Sequence, residues 1–474
     1  MDCEREDVAL NGKIEMIEEN SASVVYNDLV MEKVKKTKLN VVEAAAKINS
    51  SELVAFLLDI TERYDTKQEI QLMRLADYFG AAFSKVSTSK FPWIKILKAS
   101  SVAKMADVPL SNLPEDVYKV SVDWLNHLSS EALGSFILWS LDNLIDDLFL
   151  HQGATKRSNK VVQQATSRSQ VAIFMVLAMI LRCQPDVLIS LLPILKENPK
   201  YEGEDKLPVL VWLIIQVCQS DLVDGMFMWA HFLFPKLNSN FISDSSTDLI
   251  LQVVEWIISF PRARAILVNG SVRRGERLVP VSALELLIRV AFPDLSARSK
   301  ATERFQAVYP TLKEVAIAVT PGSEEVKQIT QKIMMFTIKA AGEGIPDLSQ
   351  EASDLFVWCL TQNPDCCQQL DNIYLEHLEG SVILKKLSDE WKTISYEHPT
   401  LDTLKESLRN FPVKNEKVLL SSGVNAADQA SLKDAEKHCK MLLRRVSDGP
   451  SPRCIKSFLL VTIAVAVVAA LLLY

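Results

Sequence analysis

The chain has 474 residues, too many for one compact core, which stops growing near ~250–300 residues, so several helical units or one elongated array are expected. Hydrophobic residues make up 48% and charged residues 23%, which excludes wholesale disorder. The formal net charge of −7 gives no global reason to bind nucleic acid, whose footprint is a basic domain, and no such partner is expected.

Residues 1–40 are polar and charged, ending in KVKKTK at Lys33–Lys38, and read as a disordered polar arm. The first twenty residues carry many acids and no apolar core of signal-peptide length, so the body is expected to stay in the cytosol. Residues 41–150 read as an N-terminal helical unit, in which Val117, Val120, Trp124 and Leu128 recur at helical spacing. Pro114, Glu115 and Asp116 suit a first turn there, because proline's missing N–H is not needed and carboxylates favour the positive end of the helix dipole. Residues 151–169, HQGATKRSNKVVQQATSRS, are polar and basic without acids and read as a linker or long loop.

Residues 170–391 read as a solenoid of helical hairpins. The runs VAIFMVLAMIL (Val171–Leu181) and LPVLVWLIIQVC (Leu207–Cys218) have eleven and twelve residues, the length of buried core helices and too short to cross a bilayer. Apolar helices end near Pro185, Pro261 and Pro364, and proline cannot continue a helix interior, so each marks the corner of a hairpin. Hairpins that cannot bury their faces alone stack into HEAT- or armadillo-like arrays. The three prolines are 76 and 103 residues apart, with no fixed period, so the expected fold class is all-α, an irregular α-solenoid, with an ordinary helical bundle as the alternative. Strand signals are few.

Residues 392–448 read as a polar helical stalk, with Leu432, Ala435, Cys439 and Leu442 at helical spacing. Phe458–Tyr474 is a run of seventeen uncharged residues, roughly 25 Å of helix at ~1.5 Å per residue, and is expected to form a C-terminal transmembrane helix. Arg444, Arg445, Arg453 and Lys456 precede it, which by the positive-inside bias leaves the N-terminal body in the cytosol. A tail-anchored, single-pass protein with the lipid bilayer as a partner is thus expected. A span this short suits the thinner endoplasmic reticulum bilayer better than the plasma membrane.

No phosphate-binding loop, HExxH, GxSxG or kinase signature occurs, and no catalytic residue, cofactor or metal is expected. Asp142, Asp146 and Asp147 put two carboxylates at i, i+4 on one helix face, where a divalent ion could bind, but without a second acidic cluster to complete coordination they read as a solvated acidic face. The adjacent Cys366 and Cys367 read as reduced helix residues. FPRARAILVNGSVRRGERLVP places Arg262, Arg264, Arg273, Arg274 and Arg277 within sixteen residues around an Asn269-Gly270 turn. Guanidinium forks pair with carboxylates and phosphates, so these five are the candidate residues for an acidic partner or lipid headgroups; pairing with the chain's own acids is the other reading.

The stretches DLILQVVEWIISFPRARAILVNGSVRRGERLVP, ATERFQAVYPTLKEVAIA and FVWCLTQNPDCCQQLDNIYLEHLEGSVILKKLSDEW, followed by a cysteine-containing helix and an apolar run, resemble the transmembrane protein 214 family over residues 41–474. The resemblance implies an endoplasmic reticulum membrane protein and, from animal members, a cytosolic body that holds a caspase at the membrane in stress-induced cell death. It transfers no catalytic residue. The expected function is a non-enzymatic, membrane-anchored scaffold recruiting protein partners, a caspase-like protease among them; a membrane trafficking or tethering factor is the alternative.

Overall fold

The computed structural model describes residues 39–87, 89–154, 170–238, 242–320, 322–373, 384–388, 398–420 and 426–447. Several helices begin where a side chain satisfies the free backbone N–H groups of a first turn. Thus Asn40 caps α1 (Val41–Ala45) in a capping box with Glu43. Asn49 accepts from the N–H groups of Ser51 and Glu52 at α2 (Ser50–Arg63). There follow α3 (Gln68–Ala82), α4 (Trp93–Ala99), α5 (Val102–Asp107), α6 (Glu115–Leu125) and α7 (Ser130–Ala154). Pro114, Glu115 and Asp116 open α6 as its sequence implies.

The centre of the molecule is built on two helices that are apolar all round, α8 (Gln170–Cys183) and α11 (Leu207–Cys218). Every side chain from Val171 to Leu181 is buried, and so is every one from Val209 to Cys218. A helix without a polar face can only lie inside a core. Accordingly α8 packs on α3, α6 and α7, and α11 packs on α4, α5, α8, α12 (Leu222–Met228) and α13 (Asp244–Ser259). Helices on either side of residues 155–169 therefore share one core, while that stretch itself lies outside the described residues. Several polar groups admitted there are paired: Trp212 Nε1 donates to the Val108 carbonyl at 2.9 Å, Arg182 Nε donates to Gln216 Oε1 at 3.0 Å, and Gln216 donates to the Ala106 carbonyl at 3.2 Å. An unpaired polar group at such depth costs about 1–3 kcal/mol.

The three prolines mark corners. Pro185 opens α9 (Pro185–Ser190), which is followed by α10 (Leu192–Glu197); Pro261 lies between α13 and α14 (Ala263–Asn269). Beyond a short hairpin, β1 (Val272–Arg273) and β2 (Glu276–Arg277), come α15 (Val281–Ala291), α16 (Lys300–Ile317), α17 (Glu324–Gly342) and α18 (Pro346–Gln362), with Pro364 at the turn into α19 (Asp365–Ile373). Successive helices pair, α15 with α16 and α17 with α18, giving an almost wholly helical, solenoid-like arrangement. Residues 384–388 form a further helical turn. The last two helices, α20 (His398–Leu420) and α21 (Ala426–Ser447), pack on each other, and α20 packs on α19. Leu432, Ala435, Cys439 and Leu442 form the buried face of α21.

The expectation of a transmembrane helix requires correction. Among the described residues no helix is long and apolar enough to cross a membrane. Crossing takes about 20 apolar residues. The apolar helices α8 and α11 have only 14 and 12 residues, whereas the 25-residue α7 carries Glu131, Asp142, Asp146 and Asp147. Phe458–Tyr474, on which the expectation rested, lies outside the described residues. The single-pass placement in the endoplasmic reticulum, the tail anchor and the bilayer as partner consequently have no helix among the described residues to rest on.

Candidate functional site

The arginine-rich segment folds differently from the turn expected at Asn269-Gly270. Asn269 ends α14, and Gly270 has φ −93°, which any residue adopts. Glycine is needed there for space: a Cβ would lie 2.6 Å from Val223 Cγ2. The reversal comes later, at Arg274 (φ 51°) and Gly275 (φ 78°), between β1 and β2. Two central residues with positive φ match the right-handed twist of a tight hairpin, and Val272 pairs with Arg277, Arg273 with Glu276.

The hairpin inserts its arginines between four helices. Arg273 grips Asp224 of α12 with two nitrogens, Nε to Oδ1 at 2.7 Å and Nη2 to Oδ2 at 3.1 Å, and also reaches Asp186 of α9 at 2.9 Å. The Asp224 side chain is 0% exposed. Its burial pushes the carboxyl above the ordinary carboxylate value, against the pull of Arg273. Arg274 stands outside this pair, 3.1 Å from Asp186 and donating to the Ser190 hydroxyl at 3.0 Å.

Arg277, with 13% of its side chain exposed, joins α16 to α17. Its Nη2 donates to the carbonyls of Val315, Ala316 and Ala318 at 2.8–3.0 Å, and its Nη1 donates to Glu325 at 2.6 Å. A cation over the free carbonyls of a helix end satisfies them and complements the dipole. The Arg277 carbonyl lies 2.8 Å from His231 Nε2, and the His231 ring stacks on Phe227 at 3.9 Å. Burial lowers the His231 pKa from its ordinary value. The remaining two arginines face outward: Arg264 pairs with Glu314 at 2.5 Å in solvent, and Arg262 is exposed with left-handed φ 60° and no polar side-chain partner among the described residues.

Beside the hairpin runs a groove that periodicity did not reveal. Val268, Val272, Ile317, Val319 and Trp358, contributed by α14, β1, the end of α16 and α18, form its apolar lining. Val272 is 43% exposed, and the other four are half-buried. Glu314 and Glu325 stand along it, held by Arg264 and Arg277. The apolar residues come from segments up to 90 residues apart, from Val268 to Trp358, so only Val272, an apolar residue set among arginines, carried any local signal.

The other candidates resolve into structural contacts. Asp142 and Asp146 flank Lys200 at 3.2 and 3.0 Å, and Asp147 accepts from Trp93 Nε1 at 3.1 Å. Among the described residues no three His, Cys, Asp or Glu side chains gather to hold a metal ion. Cys366 and Cys367 are free and buried, and burial pushes their thiols up to about 11 and about 12, which suppresses the reactive thiolate.

Compared with known proteins, residues 30–474 match a family described as "TMEM214, C-terminal, caspase 4 activator". Transmembrane protein 214-A of Xenopus laevis is 23% identical over 248 residues, which cover 51% of this chain and 33% of that protein. The chain thus spans about a third of the length of that relative. No solved structure matches.

Proposed function

The chain belongs to the transmembrane protein 214 family, and from this premise we propose that it is a non-enzymatic scaffold whose helical body binds a protein partner in the groove beside the arginine hairpin. The observation that carries the proposal is a half-exposed apolar lining with a tryptophan, held between two carboxylates whose positions are set by arginines. Tryptophan in such a setting is the residue type that most often dominates protein–protein affinity. The family description supplies the partner to test first, caspase 4.

The arginines then divide by role. Arg264, Arg273, Arg274 and Arg277 are engaged by the chain's own acids, and Arg262, exposed and without a polar side-chain partner among the described residues, is the one available for acidic groups of the partner. Binding of purified caspase 4 to the full chain, followed by surface plasmon resonance, tests both assignments. Trp358→Ala is expected to weaken it by about tenfold or more, and Arg262→Glu by about two- to fivefold. An unfolding transition matching the parent's would show that the fold is intact. Equal binding by the parent and Trp358→Ala, or none by the parent, would remove this reading.

A further inference from the structure

The outer face of α21 carries Lys433, Lys437, Lys440 and Arg444 at i, i+4, i+7 and i+11, a single stripe about 16 Å long. All four are exposed, and with Glu436 and Met441 they line one shallow depression. Lys440 is paired with Glu436 at 2.5 Å; Lys433, Lys437 and Arg444 have no ion pair among the described residues. Like charges at these spacings oppose one another and weaken a helix. The helix dipole explains Arg444, in the last turn, but its influence fades within that turn and leaves Lys433 and Lys437 unaccounted for. Arg445, the next residue, instead donates to the Ser388 carbonyl, so the stripe does not include every cation at this end of the helix.

We propose that this stripe is a docking site for an acidic, helical segment of a protein partner, with carboxylates spaced to meet the four cations. It is distinct from the groove and does not depend on it. Two features favour a linear peptide over a bilayer or a duplex: the cations follow one helix axis, and among the described residues α21 exposes no large apolar side chain that could enter a bilayer surface. The opposite face of α21, with Leu432, Ala435, Cys439 and Leu442, is buried against the body, which holds the stripe outward.

Fluorescence anisotropy with the full chain tests this. The probe is a labelled helical peptide carrying glutamates at i, i+4, i+7 and i+11, and its glutamine counterpart is the control. The glutamate peptide should bind, the glutamine peptide should bind at least about tenfold more weakly, and added salt should weaken the glutamate peptide. Lys433→Glu/Lys437→Glu should reduce binding about tenfold, while Lys417→Glu on the exposed part of α20 should leave it unchanged. Equal binding of the two peptides, insensitivity to Lys433→Glu/Lys437→Glu, or tighter binding to phosphatidylserine vesicles or duplex DNA than to the glutamate peptide would overturn the proposal. A circular dichroism spectrum and melt matching the parent's would separate lost docking from a lost fold; should the double variant unfold, the charge-removing Lys433→Gln/Lys437→Gln carries the same expectation.

Discussion

The hairpin at residues 272–277 and the outer face of α21 are both built from closely spaced cations, yet one commits its charge inside the molecule and the other leaves it in solvent. Arg273 and Arg277 meet acids and carbonyls contributed by four other helices. Lys433 and Lys437 meet none among the described residues. Charge density in the sequence is therefore a poor guide to role. What separates the regions is whether the surrounding fold brings carboxylates to the cations, and whether water is excluded when it does. Pairing of Arg273 with the buried Asp224, and of Arg277 with the α16 carbonyls, should hold helices together, and crowding on the exposed helix should slightly oppose its own fold.

The sharpest contrast lies in removing one cation from each region. Arg273→Ala would leave the Asp224 carboxyl buried without its cation and should cost about 3–5 kcal/mol in urea denaturation. A loss under about 1 kcal/mol would mean that the hairpin is no clamp. Arg277→Lys keeps the charge and loses the fork that reaches three carbonyls and Glu325 together; the expected cost is about 1.5–3 kcal/mol, accompanied by faster amide exchange at the α16–α17 corner. Gly270→Ala forces Val223 to move and should cost about 1–3 kcal/mol, which thermal unfolding would detect.

A smaller effect depends on pH. His231 is held below its ordinary value of 6.5, chiefly by burial, with the Arg277 carbonyl opposing that shift. Between its folded value and 6.5 the unfolded chain binds more protons than the folded one. Its contribution to stability is thus fully present above 6.5 and is lost as pH falls through the folded value. Asp224, raised by burial, has the opposite sign, with stability lost as pH rises through its folded value. Comparing the parent with His231→Gln cancels the Asp224 part: the parent's midpoint should fall more steeply below pH 6.5, and parallel curves would discount the histidine. At the small end, Lys437→Glu relieves like-charge contacts on α21 and should be neutral or stabilising by about 0.2–0.5 kcal/mol, the reverse of any arginine removal in the hairpin. Destabilisation by more than about 1 kcal/mol would dissolve the comparison.

The five arginines could be picked out of the sequence as a group, but their division could not. Arg273 finds Asp224 across 49 residues and Asp186 across 87, and Arg277 finds its carbonyls 38 to 41 residues onward. No local pattern encodes such distances. The turn was misplaced for a related reason: Asn-Gly is the stronger hairpin signal, yet α14 extends through Asn269, and the tight packing of Gly270 against Val223 takes up the glycine. The groove residues escaped notice because an apolar side chain destined for a half-exposed surface has the same local signature as one destined for the core.

By itself the sequence determined the helical class, the corners at Pro185, Pro261 and Pro364, the burial of α8 and α11, and the inward face of α21. These follow from short-range rules, a proline's missing donor and a 3.6-residue period, that act within a few turns of helix. Tertiary structure alone decided which cations are paired within the fold and which stayed free. Ion pairing and desolvation depend on distance in space, and that distance exists only after the helices have packed.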